Sequence, residues 1–234
     1  MQRLAAGRAQ GALRVDNPLM TDFVFIRHGE TDWNRQQRFQ GQIDVPLNDT
    51  GHAQAQRLSE RLADEPAQVL LASDLLRTRQ TGEPLSRRWG LAATLNPAFR
   101  EQSFGVLEGL DVPTIQARHP ELWASWLEHR ADFVLPGGGE SIRQFHARVL
   151  GAVREAAEAW ADRVVTVVTH GGVLDMLWRT ANGLPLDGLR ACEIPNTGIN
   201  RLRWRAGTLE IVQWADAGHL AGLPPQPSTA AGER

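Results

Sequence analysis

Two apolar runs in this chain end in the same dipeptide: Phe23-Val24-Phe25-Ile26-Arg27 leads into His28-Gly29, and Val164 to Thr169 leads into His170-Gly171. Both runs have the length and β-branched content of buried strands. In an open parallel sheet, ligands bind outside the carboxyl ends of strands, so two histidines far apart in sequence are expected to converge on one pocket. The glycine after each histidine permits a tight turn and close approach of a ligand to the backbone. Arg27 adds a planar donor fork suited to phosphate oxygens. A cation beside His28 also disfavours the imidazolium form and leaves a ring nitrogen able to attack phosphorus. A helix is expected to start at Gly171, where unpaired N–H groups and the positive dipole end favour an anion.

The elements that must position these groups alternate. From Thr21 onwards short β-branched runs alternate with longer helix-period segments, which predicts an α/β fold with a mostly parallel sheet and helices on both faces. Strands are expected at 23–26, 68–72, 91–95 and 164–169, with a hairpin over 198–205 and 208–214 closed at Gly207. Helices are expected after a cap at Thr50, after a cap at Ser73 or Asp74, in two short stretches around Pro120, from about Glu140 to Asp162, and over 174–180. The domain expectation is a disordered arm over 1–20, one domain over 21–217 and a flexible tail over 218–234. Met20, directly before the first strand, is an alternative start.

Composition narrows the chemistry. The formal charge is −2, from 25 basic and 27 acidic residues spread along 234 positions, so no field for nucleic acid or an anionic membrane is implied. A small-molecule substrate fits better, in a cytoplasmic protein that is either a monomer or a homodimer. The chain has neither lysine nor tyrosine, which removes Schiff-base and P-loop chemistry. The single cysteine, Cys192, reads as an apolar filler. No histidine spacing suits a metal, and Asp44 and Asp49 read as turn residues, so neither a metal nor another cofactor is expected.

Six segments in order carry a family resemblance: RHGETDWN at 27–34, FQGQIDVPLNDTG at 39–51, SDLLRTRQT at 73–81, FREQSFGVLEG at 99–109, PGGGES at 136–141 and VVTHGG at 167–172. Over most of residues 22–214 the chain resembles the histidine phosphatase superfamily, also called the phosphoglycerate mutase-like family. The resemblance implies a three-layer α/β/α sandwich and a metal-independent phosphomonoester hydrolase acting on a small phosphorylated metabolite through a phosphohistidine. It also implies roles: His28 as the residue phosphorylated, Arg27, Arg77 and His170 as the phosphoryl clamp, and Glu101 as general acid and base. Thr31, Asn34, Gln40 and Gly41 match substrate-side positions, and the helix start at Gly171 joins them on electrostatic grounds. Glu108 reads as a loop-ordering residue.

The alternative within the family is a cofactor-dependent phosphoglycerate mutase. Family mutases hold their triose with tyrosine, lysine and a paired arginine, whereas the only arginines between 109 and 135 here are Arg118 and Arg130. Hydrolysis is therefore favoured. A non-catalytic phospho-ligand binding module is the reading of a different class, and the presence of every expected catalytic residue argues against it.

Overall fold

The computed structural model describes residues 20–65 and 67–226. The expected N-terminal arm before Met20 and the tail beyond Gln226 lie outside the described residues. The elements, in chain order, are β1 Met20–Arg27, α1 Asp32–Arg35, α2 Asp49–Arg61, β2 Val69–Ala72, α3 Leu76–Trp89, β3 Thr94–Leu95, α4 Val112–Arg118, α5 Pro120–Leu127, α6 Ile142–Ala159, β4 Val164–Thr169, α7 Gly171–Ala181, β5 Ile199–Arg205 and β6 Thr208–Asp216. They build one six-stranded sheet in the order β3-β2-β4-β1-β5-β6. β3, β2, β4 and β1 run parallel, and the hairpin β5–β6 adds antiparallel to the β1 edge.

Alternation along β1 sorts the two faces of the sheet. Phe23 and Phe25 join Phe145, Val149 and Val153 of α6 and Leu174 and Leu177 of α7 in one core cluster. Val24 and Ile26 face the other way, against Leu58 of α2, Leu85 of α3 and Leu62. A two-residue side-chain period makes this double use of one strand unavoidable when both faces are covered. Each such aliphatic or aromatic side chain stabilises by roughly 1.5–3 kcal/mol on burial. A third cluster is separate from these two, with Leu107, Ile115 and Leu135 packed with Phe39, Phe104, Trp123 and Trp126. The rings of Phe39 and Trp126 meet edge to face at 5.7 Å, as do those of Phe104 and Trp126, the arrangement that the aromatic quadrupole prefers.

Several expected caps move. α2 is capped by Asn48, whose side chain accepts from Gly51 N–H, and Thr50 falls inside the first turn. α3 begins after Leu75 without a side-chain cap of its own; the distant Asp44 carboxylate accepts from Leu76 N–H at 2.5 Å instead. Ser73 and Asp74 are thereby left for other partners. α6 is shorter at both ends than expected, and Ser141 closes a capping box with Gln144.

Residues 219 and 226, within the stretch expected to be a flexible tail, make specific contacts. His219 Nε2 lies 3.3 Å from Thr197 Oγ1, and the Gln226 side chain grips the Asn196 main chain through both its atoms, accepting from N–H at 2.6 Å and donating to the carbonyl at 3.1 Å. Two polar side chains of this glycine- and proline-rich stretch thus meet the loop at Asn196 and Thr197. No helix among the described residues is long and apolar enough to cross a membrane.

Candidate active site

The β1–β4 ladder runs to its last rung, Arg27 opposite Thr169, and the next residue continues it through His28 N–H to Thr169 O at 2.8 Å. His28 and His170 therefore leave adjacent strands at one level, and their ring centroids stand 5.3 Å apart. Both are almost wholly buried, at 3% and 0% exposure.

The tautomer of His28 follows from its partner. Nδ1 lies 2.7 Å from Gly29 O, and a carbonyl can only accept, so Nδ1 carries the proton and Nε2 keeps its lone pair. Burial, followed by the charges of Arg77 and Arg27, holds the imidazolium form of His28 well below the usual histidine range. Burial and Arg77 do the same to His170. Nε2 of His170 lies 2.9 Å from Ser73 Oγ, at the end of β2, and Nδ1 is buried with no hydrogen-bond partner.

Arg77 sits in the first turn of α3 and is fully buried, whereas Arg79 two residues on is exposed. Arg77 donates from Nη1 to Ile43 O at 2.9 Å and from Nη2 to Gly41 O at 2.7 Å, leaving Nε unpaired. Burial lowers its pKa to about 10, a value that keeps it cationic at neutral pH. Gly41 has φ +49°, and a Cβ there would overlap the carboxylate of Glu108. Glu108 Oε1 in turn accepts from Gln42 N–H and Phe104 N–H, both at 3.0 Å, the loop-ordering part expected of it. Arg27, from the end of β1, donates to Ile194 O at 2.6 Å.

Glu101 reaches the site from the loop after the 3-10 turn Pro97–Phe99. Its carboxylate accepts from Gln102 N–H at 2.9 Å and from Gly172 N–H, in the first turn of α7, at 3.0 Å. Arg148 of α6 holds the loop from below. It donates to the carbonyl oxygens of Ala98, Arg100 and Glu101 and pairs with Glu140. Ser73, Arg148 and Asn196, whose side chain donates to His28 O at 2.9 Å, escaped the sequence reading. The position of Ser73 at a strand end was the available signal for one of them. Nothing local marks the other two.

The substrate-side set divides. Thr31 and Asn34 form a capping box on α1 in which each side chain bonds the other residue, so their polar atoms serve the turn. Gln40 keeps a buried Oε1 with no partner, and Gly171 opens α7. Trp33 lies under the Arg38 guanidinium, 4.5 Å from its ring centroid. Cys192 is buried and its thiol is pushed up to about 12, consistent with a filler. Among the described residues no three His, Cys, Asp or Glu side chains are grouped to hold a metal ion.

Two histidines kept neutral by burial link the site to stability. A base whose folded pKa lies below its unfolded value binds fewer protons when folded, so stability falls as pH drops below the unfolded value near 6.5. Urea midpoints should accordingly decline from pH 7.5 to pH 5.5, and His170→Gln should flatten the slope. A midpoint independent of pH over that range would contradict neutral burial.

A mixed sheet with two histidines at the carboxyl ends of adjacent parallel strands, and buried arginines from β1 and α3 beside them, fits a phosphoryl-handling enzyme of the mutase-like α/β class. The family model of the histidine phosphatase superfamily (branch 1) matches residues 23–217, and the chain belongs to that family. It is 34% identical over 202 residues to Phosphoglycerate mutase-like protein 4 of Arabidopsis thaliana, covering 85% of this chain and 86% of that one. It is 32% identical over 206 residues to the Metal-independent phosphoserine phosphatase of the same plant, covering 87% and 85%. Among solved structures it is similar to Bacillus stearothermophilus YhfR, with TM-score 0.79 and 27% identity over 86% of this chain and 99% of the other.

Proposed function

We propose that this enzyme hydrolyses small phosphomonoesters without a metal ion, through a covalent phosphohistidine at His28 Nε2. The observation that carries the reading is the bond from His28 Nδ1–H to Gly29 O, which leaves Nε2 unprotonated on a ring 5.3 Å from that of His170 and within the field of the buried Arg77. The lone pair on Nε2 forms the N–P bond as the ester P–O bond breaks, and Glu101 supplies the proton that the leaving oxygen takes up. Water then attacks phosphorus, its proton goes to Glu101, and the N–P bond breaks to release inorganic phosphate. Arg27 and Arg77 neutralise the equatorial oxygens throughout. With Ser73 Oγ–H donating to His170 Nε2, His170 presents Nδ1–H to the same oxygens. In this reading residues 21–217 work as one catalytic domain.

The relatives' names divide between mutase-like and phosphatase. The absence of lysine and tyrosine from the whole chain supports hydrolysis, because those are residue types with which family mutases hold their triose. The test is release of phosphate from an aryl phosphate in excess chelator. Undiminished turnover supports the reading, and activity that requires added metal rejects it.

Gly172 supplies a second check on the acid. A Cβ there would stand 2.1 Å from Glu101 Oε1 and 3.0 Å from Phe145 Cε1, so Gly172→Ala must push the carboxylate aside. Misplacing a catalytic group by about 1 Å lowers rates by roughly a hundredfold. A drop of that order in kcat, with the melting temperature little changed, is expected from steady-state kinetics and thermal scans.

A further inference from the structure

Arg190 lies in the connection between α7 and β5 and is partly exposed, with 23% of its side-chain surface accessible. Its Nε is buried without a hydrogen bond and faces Asp175 Oδ1 at 4.0 Å, an oxygen equally without one. The other carboxylate oxygen accepts from Arg179 Nε at 3.2 Å. Arg179 then donates to the carbonyl oxygens of Pro185, Asp187, Gly188 and Leu189. Asp175 is thus compensated mainly by Arg179, and Arg179 braces the segment from which Arg190 projects. Asp187 and Gly188 fix the same segment to the turn after α5, through Ala131 N–H at 2.8 Å and His129 O at 3.0 Å.

The braced guanidinium stands beside Arg27 at the start of α7. A Cβ on Gly171 would sit 3.5 Å from Arg27 Nε and 3.8 Å from Arg190 Nη1, so two guanidiniums flank the first residue of α7. Glycine at this position leaves the space between them open. Arg27 and Arg77 already match the charge of one phosphoryl group, and a third cation beside Arg27 calls for another anion on the same molecule.

We propose that Arg190 is a specificity residue for a second anionic group of the substrate, a carboxylate or a second phosphate, so that the preferred substrates are small phosphomonoesters carrying one. This rests on the phosphatase reading for the identity of the first group. Binding is measured by calorimetry with three non-hydrolysable probes: propylphosphonate, 3-phosphonopropionate and propane-1,3-bisphosphonate. Wild-type protein binds at least one of the two doubly anionic probes about tenfold or more tightly than propylphosphonate, the gain of one charge-assisted contact. The tighter of the two names the second group. In Arg190→Met, and equally in Arg190→Gln, the ratio falls to within about twofold, whereas Arg190→Lys retains part of it. Equal affinities in the wild type, or a preference that survives both neutral variants, overturn the proposal. These probes need no turnover. Absent hydrolysis with the preference intact rejects the phosphatase reading alone, and hydrolysis without the preference rejects the role of Arg190 alone.

Discussion

His28→Ala is expected to lower kcat for aryl phosphate hydrolysis by about four orders of magnitude or more, and to abolish phosphate label carried on the protein through rapid quench. Removing a nucleophile leaves only the binding groups, and in a well-studied hydrolase the corresponding loss is of the order of 10⁶. The neighbours explain why no other residue takes over. His170 has Nε2 engaged with Ser73. Cys192 is buried with a thiol pushed up to about 12, so it offers no thiolate at neutral pH. The variant should fold. It loses the bond to Gly29 O, at a cost of about 1–3 kcal/mol for a buried acceptor left unpaired, which a circular dichroism melt separates from the kinetic loss. Turnover near wild type, or label retained on the variant, would remove His28 as nucleophile.

Glu101→Gln is expected to act on one half of the cycle more than the other. With an activated aryl ester the leaving group needs no proton, so the N–P bond still forms. Water attacking the phosphohistidine does need a base, and general base catalysis contributes about 10²- to 10⁴-fold. Phosphorylated enzyme should therefore accumulate, seen as a burst of aryl alcohol followed by a slow steady state. The amide can keep only one of the two N–H bonds that the carboxylate accepts from Gln102 and Gly172, so some displacement adds to the chemical loss. Equal slowing of burst and steady state would argue that Glu101 only shapes the loop. The two variants test separate links. Label is absent in the first and enriched in the second.

Much of this was legible in the sequence because the site is built on strand ends. The runs into His28 and His170 are continuous and apolar, and the rules of parallel sheets place their ends together without further information. The β1–β4 register bears this out residue by residue. What escaped is what depends on partners distant in sequence. Asp44 serves the start of α3 across the fold, and no local pattern distinguishes it from an ordinary turn aspartate. Thr31 and Asn34, given a substrate side by the family resemblance, also close a capping box that their three-residue spacing fits. Gln226 and His219 lie in a stretch whose composition signals looseness, and only the presence of Asn196 and Thr197 opposite them gives the segment a place to dock. Arg148 occupies an otherwise ordinary helix position, and its role arises from the carbonyl oxygens of residues 98–101 that the fold brings above it.

The last rung of the β1–β4 ladder also has a consequence for how the enzyme acquires its activity. The rung residues Arg27 and Thr169 are 142 positions apart in the chain, and the Arg27 contact with Ile194 spans 167. Such pairings form late, after the entropy of closing very long loops has been met. No amino-terminal fragment that ends before β4 can hold His28 beside His170, so a nascent chain of that length has Arg27, His28 and Arg77 but not the paired-histidine arrangement. On dilution from denaturant, catalysis should return in step with burial of the central strands, as the final event of folding rather than a gradual recovery.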